Sequence, residues 1–260
     1  MKAEILRIWK THDKLVDKIE YPVPVSIRMG DGYSTSKYKI PLRINNYESI
    51  CLCCDKYAVK EIWNKANIDT PMGYKFKNGV FYSFLGDKLS NKRFLEREKV
   101  AKLKTNRRYG KDMVFIKNKK QLNEFIKKQG RSIDKYYFED MYPYLREFRV
   151  HCSSLGIIHV AQKLKEENHK NVDFFDSNDI DFTTKFSSWK FPFKKIEKEC
   201  IKALKLINLD IGGFDIRVNR IGQLFKIIEV NSAPSLSQAS ADKYIKHIPH
   251  LLIYKYGKYK

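Results

Sequence analysis

The chain has 260 residues, enough for one to two domains around a buried core, and 51 Lys and Arg against 30 Asp and Glu give it a formal charge of +21. No run reaches the ~20 apolar residues of a membrane span, and "MKAEILRIWKTHDK" is broken by charges too early for a secretory signal, so the expected setting is cytoplasmic. Cys51, Cys53, Cys54, Cys152 and Cys200 form an odd set without zinc-finger pairing to histidine, and read as reduced, mostly buried thiols with no metal role.

In chain order, residues 21–50 alternate short apolar runs with Pro, Gly and Asn, which predicts strands and loops. Asp55 then caps a helix with Ala58, Ile62 and Trp63 near helical spacing, closed by Thr70 and Pro71. "GVFYSFL" (79–85) reads as a strand. A strand, a basic loop and a second strand follow to residue 118, and "KKQLNEFIKKQ" as an amphipathic helix after them. The basic surplus is concentrated between Lys88 and Arg131, a field that attracts polyanions such as nucleotides, phosphorylated metabolites or nucleic acid.

Residues 135–164 hold an extended run, a break at Pro143 and two alternating strands around Gly156; 165–190 form a polar, Asn- and Asp-rich loop. A helix is predicted over 192–209, then a hairpin of "GFDIRV" and "LFKIIEV" around Asn219–Gly222. The chain shows no internal repeat, and its basic end "YKYGKYK" is expected to fray.

That hairpin raises a chemical question, because Asp215, Glu229 and Asn231 stand in strands that are otherwise apolar. Residues two apart on a strand share a face, so Glu229 and Asn231 point the same way, and an antiparallel neighbour brings Asp215 beside them. Two carboxylates and an amide are oxygen donors suited to Mg²⁺, which keeps its other positions for water and phosphate. The alternative is a structural hairpin in which Asp215 and Glu229 pair with Arg217 or Arg220. Both readings stand on this segment alone.

Four ordered blocks across about residues 50–237 resemble the ATP-grasp superfamily, which includes D-alanine–D-alanine ligase, glutathione synthetase and the ribosomal-protein glutamate ligases. The blocks are "DKYAVKEIWNKANIDTP", "VAKLKTNRRYGKD", "FEDMYPYLREFRVHC" and "GFDIRV…IIEVNSAPSL". The resemblance implies an α/β (α+β) ATP-grasp fold, two subdomains sandwiching a nucleotide, after a shortened N-terminal α/β region. The expected divisions are 1–79 with the Asp-Lys helix, 80–141 as the small lid subdomain, and 142–260 as the large subdomain with the metal site.

The same resemblance assigns roles. Lys56 and Lys102 contact the nucleotide phosphates; Glu139, Met141 and Tyr142 hold adenine; Glu147 accepts from ribose hydroxyls. Asp215, Glu229 and Asn231 ligate Mg²⁺ or Mn²⁺. Lys163 faces the γ-phosphate, while Arg149 and Arg217 grip an acyl phosphate or substrate carboxylate, or pair with Asp215 and Glu229 instead. The chain departs from the pattern in three places. The loop after Lys102 has Gly110 alone, with Arg107 and Arg108 available as charge in place of backbone donors. Phe214 precedes the metal aspartate, where some dipeptide ligases carry an arginine one residue earlier in the motif. Only about 50 residues precede the Asp-Lys helix.

The implied activity is an ATP-dependent ligase joining a small-molecule or peptide carboxylate to an amine, or less often a thiol, through an acyl phosphate. The runner-up is a kinase of the same architecture acting on a polyanionic hydroxyl. A third reading is nucleic-acid binding, since lysines interleave with aromatics, although no helix-turn-helix, zinc-finger or RRM signature appears.

Overall fold

A computed structural model describes residues 2–7, 10–15, 18–21, 25–30, 42–104, 113–142, 146–165, 180–183, 191–219 and 224–257. Arg107, Arg108, Gly110, Pro143, Arg220, the turn at 220–222 and most of the polar loop at 165–190 lie outside the described residues.

Three sheets organise the described chain. The first is parallel, in the order β1 (Glu4–Arg7), β2 (Val25–Met29), β3 (Leu42–Ile44). Every residue of β2 is buried, as expected of a central parallel strand. Its apolar residues Val25, Ile27 and Met29 share a core with Tyr244, Ile248, Leu251 and Leu252 of the long C-terminal helix α6 (Gln238–Tyr256).

Residues 47–50, expected as strand or loop, begin helix α1 (Tyr47–Cys54) instead. Asn45 turns the chain in the left-handed region (φ 57), and the Asn46 side chain accepts from Ser49 N–H at 2.7 Å, so a two-residue polar signal starts the helix. Asp55 then ends α1 and caps α2 (Lys56–Lys65), accepting from Ala58 N–H at 2.9 Å. Helix α2 stops at Ala66, before the expected Thr70–Pro71, because Asn67 takes a positive φ of 53. Of the thiols, Cys53, Cys152 and Cys200 are buried, while Cys51 and Cys54 are exposed on α1.

The second sheet is antiparallel and six-stranded: β4 (Gly73–Lys77), β5 (Val80–Ser83), β6 (Lys88–Leu89), β7 (Lys99–Leu103), β8 (Val114–Ile116) and β9 (Tyr136–Asp140), in the order β6-β5-β4-β9-β7-β8. β4 pairs with both β5 and β9, so Gly73–Lys77 belongs to this sheet. The short helix α3 (Asn91–Phe94) and the helix α4 (Lys119–Gln129) give Phe94, Leu122 and Phe125 to its core with Phe81 and Phe138. Phe81 and Phe94 stack at 3.7 Å.

The third sheet is also antiparallel: β10 (Arg146–Ser153), β11 (Gly156–Lys165), β12 (Ile180–Thr183), β13 (Ile211–Val218) and β14 (Phe225–Asn231), in the order β12-β11-β10-β13-β14. Alternation gives it two unlike faces. Phe148, Val150, Cys152, Phe214, Ile216 and Val218 pack on helix α5 (Phe193–Leu206) through Ile196, Cys200, Ala203 and Leu204. Trp63 of α2 closes this core, stacked on Phe214 at 6.2 Å, with its indole N–H donating to the Ala203 carbonyl at 3.3 Å. The intervening residues Glu147, Arg149, Asp215 and Arg217 build the opposite face. Among the described residues no helix is long and apolar enough to cross a membrane.

Candidate active site

Register places the charged residues of the third sheet side by side. Glu147 lies opposite both Lys163 and Arg217, Arg149 opposite Asp215, and Asp215 opposite Glu229. A β-bulge makes the last pairing possible. Asp215 pairs with Glu229 but the next residue, Ile216, pairs with Ile227, so Ile228 is the extra residue. Without it, Ile227 and Glu229 would share a face. With it, Ile227 enters the α5 core while Glu229 joins Asp215.

The resulting ion pairs form a chain. Arg149 donates to both carboxylate oxygens of Asp215, at 2.6 and 3.0 Å. Lys163 bridges Asp215 Oδ2 at 2.8 Å and Glu147 Oε1 at 2.5 Å, and Arg217 donates to Glu147 Oε2 at 2.8 Å. Lys56 reaches from the first turn of α2 to Glu229 at 2.7 Å, and Asn231 Nδ2 lies 3.5 Å from the same carboxylate. From the six-stranded sheet, Lys102 on β7 makes a close ion pair with Glu139 on β9. In this arrangement Arg149 pairs with Asp215 and Arg217 with Glu147, while Glu229 is held by lysine.

A further cation was not apparent from the sequence. Lys60, one turn after Lys56 on α2, is fully enclosed and lies 3.4 Å from Glu139 Oε2. Its ammonium also donates to Thr70 Oγ1 at 2.7 Å and to the Ile228 carbonyl at 2.8 Å. The available signal was its spacing from Lys56, which puts both lysines on one side of α2.

Six cationic side chains therefore meet four carboxylates: Lys56, Lys60, Lys102, Arg149, Lys163 and Arg217 against Glu139, Glu147, Asp215 and Glu229. Burial works against ionising Glu147, but Lys163 and Arg217 hold its carboxyl at about 2. Burial likewise opposes the charge on Glu139 and Glu229. Lys102 and Lys60 keep Glu139 below the ordinary carboxylate value, and Lys56 and Lys102 do so for Glu229. Lys60 is pulled down to about 8, chiefly by burial, with Glu139 opposing and Lys102 reinforcing the shift. Among the described residues the cluster thus holds more cationic groups than carboxylates, which suits a polyanionic ligand.

Glu139, placed beside adenine by the resemblance, is buried between Lys102 and Lys60, because β9 lays it diagonally across from the β7 lysine. The Met141 N–H expected for the base donates to the Glu98 carbonyl at 2.8 Å. Tyr142 is partly buried, and among the described residues its hydroxyl has no hydrogen-bond partner. Glu147, expected near ribose, is held by Lys163 and Arg217.

The donor set for a divalent cation fits by chemistry and by position. Asp215 and Glu229 are strand partners, Asn231 follows on the Glu229 face, and all three bear oxygens for a hard cation. Their present partners are the ammonium and guanidinium groups of Lys56, Lys163 and Arg149 on flexible side chains. Among the described residues no group of three or more His, Cys, Asp and Glu side chains is arranged to hold a metal. The chain beyond Asn231 folds back over the site. Pro234 packs on Gly213, where an added Cβ would meet the proline Cβ at 2.5 Å, so this approach requires glycine.

No protein-family model and no curated protein matches the chain. Solved structures do. D-alanine–D-alanine ligase from Bacillus anthracis complexed with ATP superimposes with a TM-score of 0.60 at 14% identity, covering 97% of this chain and 95% of that one. The ATP-grasp ligase PsnB complexed with a minimal precursor gives 0.55 at 13%, covering 81% of this chain and 64% of that one. The D-Ala:D-Ser ligase VanG from Enterococcus faecalis gives 0.54 at 14%, covering 79% and 65%. The fold is that of the ATP-grasp ligases.

Proposed function

We propose that this chain is an ATP-dependent carboxylate–amine ligase that forms an acyl phosphate and releases ADP and phosphate. The observation that carries this reading is the charged face itself: Asp215, Glu229 and Asn231 drawn together by the bulge at Ile228, beneath Lys56, Lys102 and Lys163. The fold it shares with ligases that join carboxylates to amines supports the same class.

In this reading Lys56, Lys102 and Lys163 leave their carboxylates to neutralise the triphosphate, and Asp215, Glu229 and Asn231 turn to a Mg²⁺ or Mn²⁺ ion. Such an ion, when bound, neutralises phosphate charge and orients the transferring group. Arg149, freed from Asp215, is placed to grip the oxygens of the carboxylate and the acyl phosphate made from it. Splitting the reaction at the acyl phosphate gives the amine a good leaving group to displace. The carboxylate sits on a small molecule or a peptide; PsnB has been solved in complex with a precursor peptide.

ADP release measured across panels of amino acids, amines and peptides, with hydroxylamine present, tests the proposal. An acyl hydroxamate together with ADP is expected. ADP with a phosphorylated alcohol and no hydroxamate would replace the ligase with a kinase. Salt-sensitive nucleic-acid binding without ATP turnover would replace both.

A further inference from the structure

We propose that Lys60 is a positioning residue that acts through Glu139: it is the internal counter-cation that lets Lys102 leave Glu139 for a nucleotide phosphate. The inference rests on the nucleotide reading of the site. Lys102 reaches the cluster from β7 and, among the described residues, pairs with Glu139 alone. If Glu139 had no other cation, a phosphate could claim Lys102 only by leaving a buried carboxylate uncompensated, which is strongly unfavourable. Lys60 removes that obstacle. Its ammonium is enclosed by protein and directed at three acceptors: Thr70 Oγ1 at 2.7 Å, the Ile228 carbonyl at 2.8 Å and Glu139 Oε2 at 3.4 Å.

The two neutral acceptors fix the ammonium in place. Thr70 is itself anchored, its hydroxyl donating to the Ile227 carbonyl at 2.7 Å. Among the described residues Glu139 Oε2 makes no hydrogen bond and meets only the Lys60 ammonium as an ion pair, whereas Oε1 faces Lys102. Each oxygen of one carboxylate therefore has its own lysine, one buried on α2 and one on a strand of the neighbouring sheet. The surplus charge of this trio is what Lys102 can offer to an anion.

The test is calorimetric titration of the full-length chain with a non-hydrolysable ATP analogue and Mg²⁺, comparing wild type, Lys60→Met, Lys60→Arg, Glu139→Gln and Lys60→Met/Glu139→Gln. Thermal melts confirm folding. Lys60→Met is expected to weaken binding at least about tenfold. Lys60→Arg recovers part of the loss. In the Glu139→Gln background, removing Lys60 changes affinity by less than about twofold, because the charge it answers is gone. That last pair decides the matter if Lys60→Met alone does not fold. Wild-type affinity in Lys60→Met, or an equally large Lys60→Met effect with and without Glu139, overturns the role of Lys60 and leaves the nucleotide site standing. A wild-type chain that binds no nucleotide overturns both.

Discussion

The two faces of the five-stranded sheet come from the same strands and differ in what burial is used for. Toward α5, Phe148, Val150, Phe214, Ile216 and Val218 are fully enclosed hydrocarbon. One residue along, Glu147, Asp215, Lys163 and Arg217 are buried nearly as well, but as charges. Hydrocarbon stabilises in proportion to area removed from water, whereas a buried ion pair often contributes less than an apolar pair of the same volume. A sheet with one face of each kind holds its fold with the first and, in the proposed function, keeps the second for chemistry.

The largest effect that sharpens this contrast is on turnover. Asp215→Asn or Glu229→Gln is expected to lower ADP release by on the order of 10²–10³-fold or more, with a cooperative melt still present. Asp215→Asn also lowers the melting temperature, because Arg149 and Lys163 lose their common carboxylate. Full activity in both variants would break the contrast. On the opposite face, Trp63→Ala is expected to cost about 3–5 kcal/mol in urea unfolding. It removes the ring stacked on Phe214 and the bond to the Ala203 carbonyl.

Acid separates the faces next. Glu147, Glu139 and Glu229 all ionise below the ordinary carboxylate value in the folded chain. Their stabilisation is therefore complete above the unfolded value of ~4.5 and is lost as pH falls from there through the folded values, which for Glu147 is about 2. Melting temperature should fall steeply over that window, and Glu147→Gln should flatten part of the slope. A slope unchanged in the variant would mean that the Glu147 carboxylate adds nothing. The smallest effect belongs to the surface. Lys75 lies 3.6 Å from Glu61 with both side chains partly in water, and Lys75→Ala should shift stability by no more than about 0.5 kcal/mol.

Much of this layout was legible in the residues. Asp55 announced the cap of α2, and alternation through "GFDIRV" put Asp215 and Arg217 on one face. The pairing partners were not. Which arginine meets Asp215 depends on β10 lying against β13 in a particular register, a long-range fact absent from the hairpin. The bulge was hidden for a related reason: "KIIEVN" reads as an ordinary alternation, and only its pairing with β13 makes Ile228 the extra residue. Helix α1 was obscured because "YESICLCC" has little helical periodicity, its start being fixed by the Asn46 cap. Lys60 looked like any lysine on a polar helix until the second sheet supplied Glu139 across from it.

Titrating the wild-type chain with ATP, in the presence and absence of Mg²⁺ and alongside Glu229→Gln, tests the central claim most directly. Tight binding that needs the cation and is lost in the variant is the predicted result. Cation-independent binding unchanged by Glu229→Gln would mean that the carboxylates on β13 and β14 serve only their lysine and arginine partners.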